Sequence, residues 1–402
     1  MNTRLGAVAT VAAVALVVIA GCSGLTVTDA TPRAPTQTTA EPTPAEPTTA
    51  GVAVTETVTV TEHNATLGDV NASLVYARVG ELVSVDGPSP PPVHVFGPAG
   101  NTGTVPTNQL FRLFGVQRQP VEGTNSWVGG RMDAGRGTYD VLLVRLSNAT
   151  DAAMEAILAH EFAHAYQMNA VHSLPENTTA FTRDAVHEGA VEYVTWRYVD
   201  RYDVSFDEAA TLAEAYRQAG PVRRAHYAPY LYGARYARNF SDPDAPLESM
   251  YENPPTTDEQ VLHGLPPGSE SPKQLTARGV TGEDWVVNPT ATRRIGEARL
   301  KFVLESGVSR DRAATAAAGW GNDRWLEFVS SHGYGYAWVL HWDTASDARE
   351  FERAFTDYQQ NVSVPLDVKT VGEEATVVFA GNASFVENAT ASGTAENVTV
   401  SV

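Results

Sequence analysis

The stretch that most restricts the possible folds runs from Ala156 to Met168, Ala-Ile-Leu-Ala-His-Glu-Phe-Ala-His-Ala-Tyr-Gln-Met. It is apolar nearly all round, and a helix of that composition must be buried on most sides, so the chain has to build a core around it. Glu161 is its one charge. A buried carboxylate without a partner costs several kcal/mol or takes up a proton, and a divalent cation is a suitable partner. Residues four apart share a helix face, so His160 and His164 can aim ring nitrogens at one point, which is half of a tetrahedral zinc site. Glu161 projects close to that face without sharing the histidine row, where it can reach a metal-held water as general base. The bland alternative is a core helix whose histidines bond to backbone carbonyls.

A strand is expected over Thr138–Leu146, running directly into this helix, with Asn148 or Thr150 as cap and Asp151 and Glu155 in the first turns, where the macrodipole favours acids. The helix is expected to run to about His172, before Pro175. After a loop over Leu174–Thr179 a second helix is expected from about Phe181 to Arg201. The step from His164 to Glu188 leaves room for the first helix to end and the second to return a carboxylate, so Glu188 is the candidate third ligand and water the fourth. Glu192, one turn on, can hold the far nitrogen of a ligand histidine. His187 or Glu192 as ligand, or a purely structural salt-bridged helix, are the competing readings. Gln167 and Ala170 exclude the three-histidine H-E-x-x-H-x-x-G-x-x-H pattern.

With 47 acids against 28 bases the formal charge is −19, and only Lys273, Lys301 and Lys369 are lysines. Nucleic acid is excluded as a partner, because phosphate recognition needs clustered positive charge. An acidic, lysine-poor surface points to a halophilic source. The N-terminus reads as an export signal: a basic start at Arg4, an apolar run from Leu5 to Ala20, and Ile19-Ala20-Gly21-Cys22 resembling a lipobox. Cys22 is the sole cysteine and therefore the expected lipidation site, attaching the chain to the membrane. An ordinary signal peptide or an uncleaved anchor are the alternatives. Residues 23–58 form a Thr/Pro-rich stalk that cannot bury enough surface to order itself, although the alternating Val and Thr of Val52–Thr61 also suit a first strand. Nine Asn-x-Ser/Thr sequons, at Asn64, Asn71, Asn148, Asn177, Asn239, Asn361, Asn382, Asn388 and Asn397, agree with an exterior location.

His160-Glu161-x-x-His164 with the distant Glu188-Gly189-x-x-x-Tyr193 resembles the Glu-zincin metallopeptidases. That resemblance implies zinc on two histidines and a glutamate, with Glu161 acting on the water. Over roughly residues 70–380, the segments His160–Gln167, Pro254–His263 and Gly319–Arg324 are together similar to a group of secreted prokaryotic and haloarchaeal surface lipoproteins. Relatives there tend to have Pro and Gly where this chain has Gly264 and Asn322. The expected fold is α+β: a zincin-like domain over 59–265, with the buried helix on a small mixed sheet, and an α+β region over 266–402 packed on it. The expected activity is zinc-dependent hydrolysis of a peptide or protein substrate at the cell surface. A surface binding protein on the same scaffold, or zinc hydrolysis of another substrate, are the rivals. The strand before the metal helix is expected to offer its edge to an extended peptide. Arg223–Tyr236 interleaves Arg and Tyr and could meet a carboxylate or oxyanion, but reads better as a helix and loop whose arginines pair with surface acids. His263 reads as a structural histidine.

Overall fold

The computed structural model describes residues 52–85, 87–97, 108–117, 127–133, 138–170 and 172–402. The export signal, Cys22 and most of the stalk lie outside them. The protein is α+β, with helices and three small sheets. No helix among the described residues is long and apolar enough to cross a membrane.

The first half runs β1 (Val60–Glu62), α1 (Ala72–Val83), β2 (Val93–Phe96), α2 (Gln109–Leu113), β3 (Trp127–Asp133) and β4 (Thr138–Val144). The helices α3 (Asp151–Gln167), α4 (Ala180–Arg201), α5 (Glu208–Gln218), α6 (Pro221–Phe240), α7 (Pro246–Glu252) and α8 (Asp258–His263) follow. The sheet order is β1-β2-β4-β3, parallel except for β3 against β4, so the end of the Val/Thr repeat does become a strand. Strand alternation sends Val93, Val95, Tyr139, Val141 and Leu143 to one face, all buried. Val75, Val79 and Leu82 of α1 and Met154, Leu158 and Phe162 of α3 join them in one core cluster, which seats α3 on the sheet. β4 is paired on both sides, so the expectation that it offers an edge is corrected. Among the described residues the edge strand beside it is β3, whose antiparallel pairing with β4 fills the position.

Helix α3 starts under the Thr150 cap and ends at Gln167, sooner than Pro175 would require. Its last turn tightens into i→i+3 bonds, Asn169 N–H to Tyr166 O at 3.1 Å and Ala170 N–H to Gln167 O at 2.8 Å. α6 is one helix rather than a helix and loop. Its Arg224 pairs with the buried Glu305 at 2.8 Å instead of a surface acid, while Arg235 and Arg238 lie over the rings of Tyr232 and Trp196.

The second half contains β5 (Thr276–Val280), β6 (Val286–Val287), α9 (Glu297–Leu304), α10 (Arg310–Ala317), β7 (Trp320–Ser330) and β8 (Gly333–Trp342). Then come α11 (Ala345–Gln360), β9 (Leu366–Val371), β10 (Ala375–Gly381), α12 (Ala383–Asn388), β11 (Thr390–Gly393) and β12 (Asn397–Ser401). The β6-β7-β8-β10-β9 sheet is antiparallel, and β5, from a region that reads as loop in the sequence, pairs in parallel with β12. Trp320, Trp325, Trp338 and Trp342 fill a core that also takes in Phe111, Phe181 and Val222, so the two halves share buried side chains.

Two of the sequence motifs explain themselves here. Asp258 accepts from Thr182 Oγ1 at 2.8 Å, from Thr179 Oγ1, and from the Ala298 N–H at 3.0 Å. Asp323 accepts from Ile295 N–H at 2.7 Å, Gly296 N–H at 2.6 Å and Trp320 Nε1 at 2.9 Å. Together the two buried carboxylates clamp the chain entering α9. Gly296 has φ +94°, and a Cβ there would meet Asp258 Oδ2 at 2.2 Å, so the clamp closes only on glycine.

Candidate metal centre

His160, His164 and Glu188 come together: one donor atom from each lies within 4.8 Å of the others. Glu188 Oε2 is 3.1 Å from His164 Nε2 and 3.8 Å from His160 Nε2. Donors on a tetrahedral zinc at about 2.05 Å are roughly 3.4 Å apart, so the two distances straddle that edge length. The fit extends to the protons. His160 Nδ1 is 3.1 Å from Glu192 Oε2, and Glu192 is itself held by Trp196 Nε1 donating to Oε1 at 2.7 Å. His164 Nδ1 is 3.0 Å from Gln167 Oε1. The Gln167 amide donates from Nε2 to the His187 carbonyl at 2.7 Å, which fixes its oxygen toward His164. Both Nδ1 atoms therefore donate outward, and both Nε2 lone pairs face Glu188.

A lone pair facing a carboxylate at 3.1 Å needs a cation between them, a proton or a metal. Glu188 is 2% exposed, and its Oε1 has no hydrogen-bond partner. Burial opposes a charged His160, yet hydrogen bonds to Glu188 and Glu192 and the charges of Glu192 and Glu161 raise its pKa well above the usual histidine value. Glu188 is shifted the other way: burial favours the acid, but the charge on His164 and bonds from both histidines hold it well below the usual carboxylate range. The pocket thus draws in positive charge, and the donor set of two imidazoles and one carboxylate suits zinc.

Glu161, 5% exposed, accepts a hydrogen bond from Tyr139 OH on β4, which ties the carboxylate to the sheet. His187 stays outside the cluster: its Nδ1 meets Tyr251 OH at 2.9 Å, and burial followed by the charge on His164 pushes it down to about 4. From α6, the Tyr230 ring stacks on His160 with centroids 6.0 Å apart, and His226 lies 5.9 Å from Tyr230. His226, pushed down to about 4 chiefly by burial, carries a buried Nε2 with no partner. Of the Arg/Tyr segment, then, a tyrosine rather than an arginine flanks the histidines. His263 pairs with Glu297 at 3.1 Å. Sequence reasoning passed over Tyr139, Gln167 and His226. The i,i+3 step from His164 to Gln167 and the i,i+4 step from His226 to Tyr230 were the available signals.

Gln167→Ala removes the acceptor that sets the His164 tautomer. Zinc affinity is expected to fall about 10- to 100-fold, read by competition with a chromogenic chelator. Unchanged affinity would remove Gln167 from the site.

The family model of a domain of unknown function (DUF8575) matches residues 286–402, the part that contains Asp323 and the entry to α9 but none of the metal cluster. No curated protein and no solved structure matches the chain.

Proposed function

We propose that this chain is a zinc-dependent peptide-bond hydrolase that works outside the cell, tethered to the membrane by a lipid on Cys22. The reading rests above all on the convergence of two Nε2 lone pairs and the half-unpartnered Glu188 carboxylate beside a buried, anchored Glu161. Zinc bound by His160, His164 and Glu188 would supply Lewis acidity toward a water and a scissile carbonyl. The remaining work falls to the protein. Glu161, one oxygen occupied by Tyr139, takes the proton of the attacking water on its other oxygen and passes it to the departing amine nitrogen. Glu192 and Gln167 keep the imidazoles in one tautomer, and the Tyr230 ring packs on His160. Among the described residues β3 ends this sheet, and an extended substrate would add to it as a further strand.

The test is elemental analysis of the purified chain together with digestion of an unbiased peptide library. About one zinc per chain is expected, with His164→Ala losing it and cleavage ceasing in parallel. A chain free of zinc after reconstitution, or one that holds zinc and leaves every peptide intact, overturns the reading.

A further inference from the structure

Beside the N-terminal end of α4 lies a cavity of about 350 Å³, in the size range of small-ligand pockets. Arg183, Arg293, Arg294 and Arg299 line it, with Glu176 the one acid among them. In a chain with 19 excess negative charges, four guanidiniums share this space. Among the described residues none of them has a carboxylate oxygen within 4.0 Å; the arginines that do are elsewhere. Arg183 and Arg294 donate instead to the carbonyls of Thr178 and Asn177, and the acids whose charge reaches these arginines, Asp184, Asp258 and Asp323, do not line the cavity. The wall also contains Thr178, 6% exposed, whose buried hydroxyl has no hydrogen-bond partner. The site is built rather than incidental. Asp258 and Asp323 clamp residues 295–298, so the segment carrying Arg293, Arg294 and Arg299 is held by buried carboxylates that do not themselves line the cavity.

The cavity and the candidate metal cluster share helix α4, one to three turns apart. Arg183 precedes Glu188 by five residues and the Thr179 cap precedes it by nine, which is about 8 and 14 Å along a helix. The charges of Arg299 and Glu188 both act on Asp184 and on His226.

We infer that this arginine cavity is a recognition site for a peptide carboxylate, either a free C-terminus or an acidic side chain. Its role as a substrate subsite rests on the hydrolase reading; its binding chemistry does not. Guanidinium forks match carboxylate oxygens in paired hydrogen bonds. An extended peptide covers about 3.3 Å per residue, so a chain lying along α4 places its carboxylate two to four residues from the bond at the metal cluster.

The test is calorimetric binding to the full chain carrying Glu161→Gln, so that cleavage does not enter the measurement. Three acetylated pentapeptides of small neutral residues serve as probes: one with a free C-terminus, its amide, and the amide with one internal aspartate. Either carboxylate form is expected to bind about 10- to 100-fold more tightly than the neutral amide, the range of a charge-assisted hydrogen bond. Which of the two gains assigns the source. The preference should collapse when Arg183→Gln and Arg293→Gln are added, both at exposed positions, and Arg293→Gln alone serves if the pair unfolds. Equal binding of all three probes, no binding at all, or a preference that survives the arginine changes overturns the inference. A genuine preference in a chain that proves to have no peptidase activity leaves the site standing and removes only its catalytic use.

Discussion

Replacing Glu161 by Gln is expected to lower peptide cleavage by about a thousandfold or more while leaving zinc content and affinity unchanged. The two effects separate because the metal-facing donors lie on other residues, His160, His164 and Glu188. The amide keeps the size of the carboxylate and can still accept the Tyr139 hydrogen bond, so the helix and sheet stay joined. What it loses is the ability to take a proton from water. Tyr139→Phe gives a graded comparison: the base remains but one of its anchors goes, and a smaller loss of rate is expected, with kcat falling more than KM rises. Full activity in Glu161→Gln would move the proton-transfer role to another group. Loss of zinc in the same variant would instead make Glu161 part of the metal site.

The convergence of His160, His164 and Glu188 was legible because the parts of this candidate site are local. His160 and His164 lie one turn apart on a helix whose apolar circumference announces burial, and Glu188 and Glu192 repeat that one-turn step on the next helix. The cap at Thr150 was legible for the same reason, since it is settled by residues a few positions apart. Long-range pairings were not. Nothing near Thr276 points to Asn397, its partner across the β5–β12 pair, and β5 (Thr-Ala-Arg-Gly-Val) has no run of large apolar residues to mark it as a strand. β3 carries Gly129 and Gly130, which weaken a strand signal, so the edge beside the metal helix was assigned to β4. The arginine cavity combines residues 176–183 with 292–299, and no single stretch of sequence shows that four arginines meet.

Gly189→Ala is expected to lower the thermal midpoint and weaken zinc binding, against what helix propensity alone would give. In an exposed helix the change from Gly to Ala is worth about 1 kcal/mol of stabilisation. Here Gly189 lies against α6. A Cβ at that position would sit 2.3 Å from the Gly233 carbonyl carbon and 2.4 Å from its Cα, and a Cβ on Gly233 would meet the Ala185 carbonyl oxygen at 2.4 Å. Both obstacles are backbone, so no rotamer change relieves them and the helices must separate. Overpacking that cannot relax through side chains is expected to cost about 3 kcal/mol, the upper end of the usual range, which outweighs the propensity gain. The separation also reaches the site, because Glu188 immediately precedes Gly189 on α4 while Tyr230 stacks on His160 from α6. Zinc affinity should therefore fall together with stability, whereas an alanine at the exposed Gly264, strained by φ +63° but with nothing within 4 Å of its Cβ, should cost stability and leave zinc binding untouched. A thermal midpoint in Gly189→Ala equal to or above that of the wild type would mean that α4 and α6 are not held in this close contact, and that the Glu188-Gly189 pair serves the ligand alone.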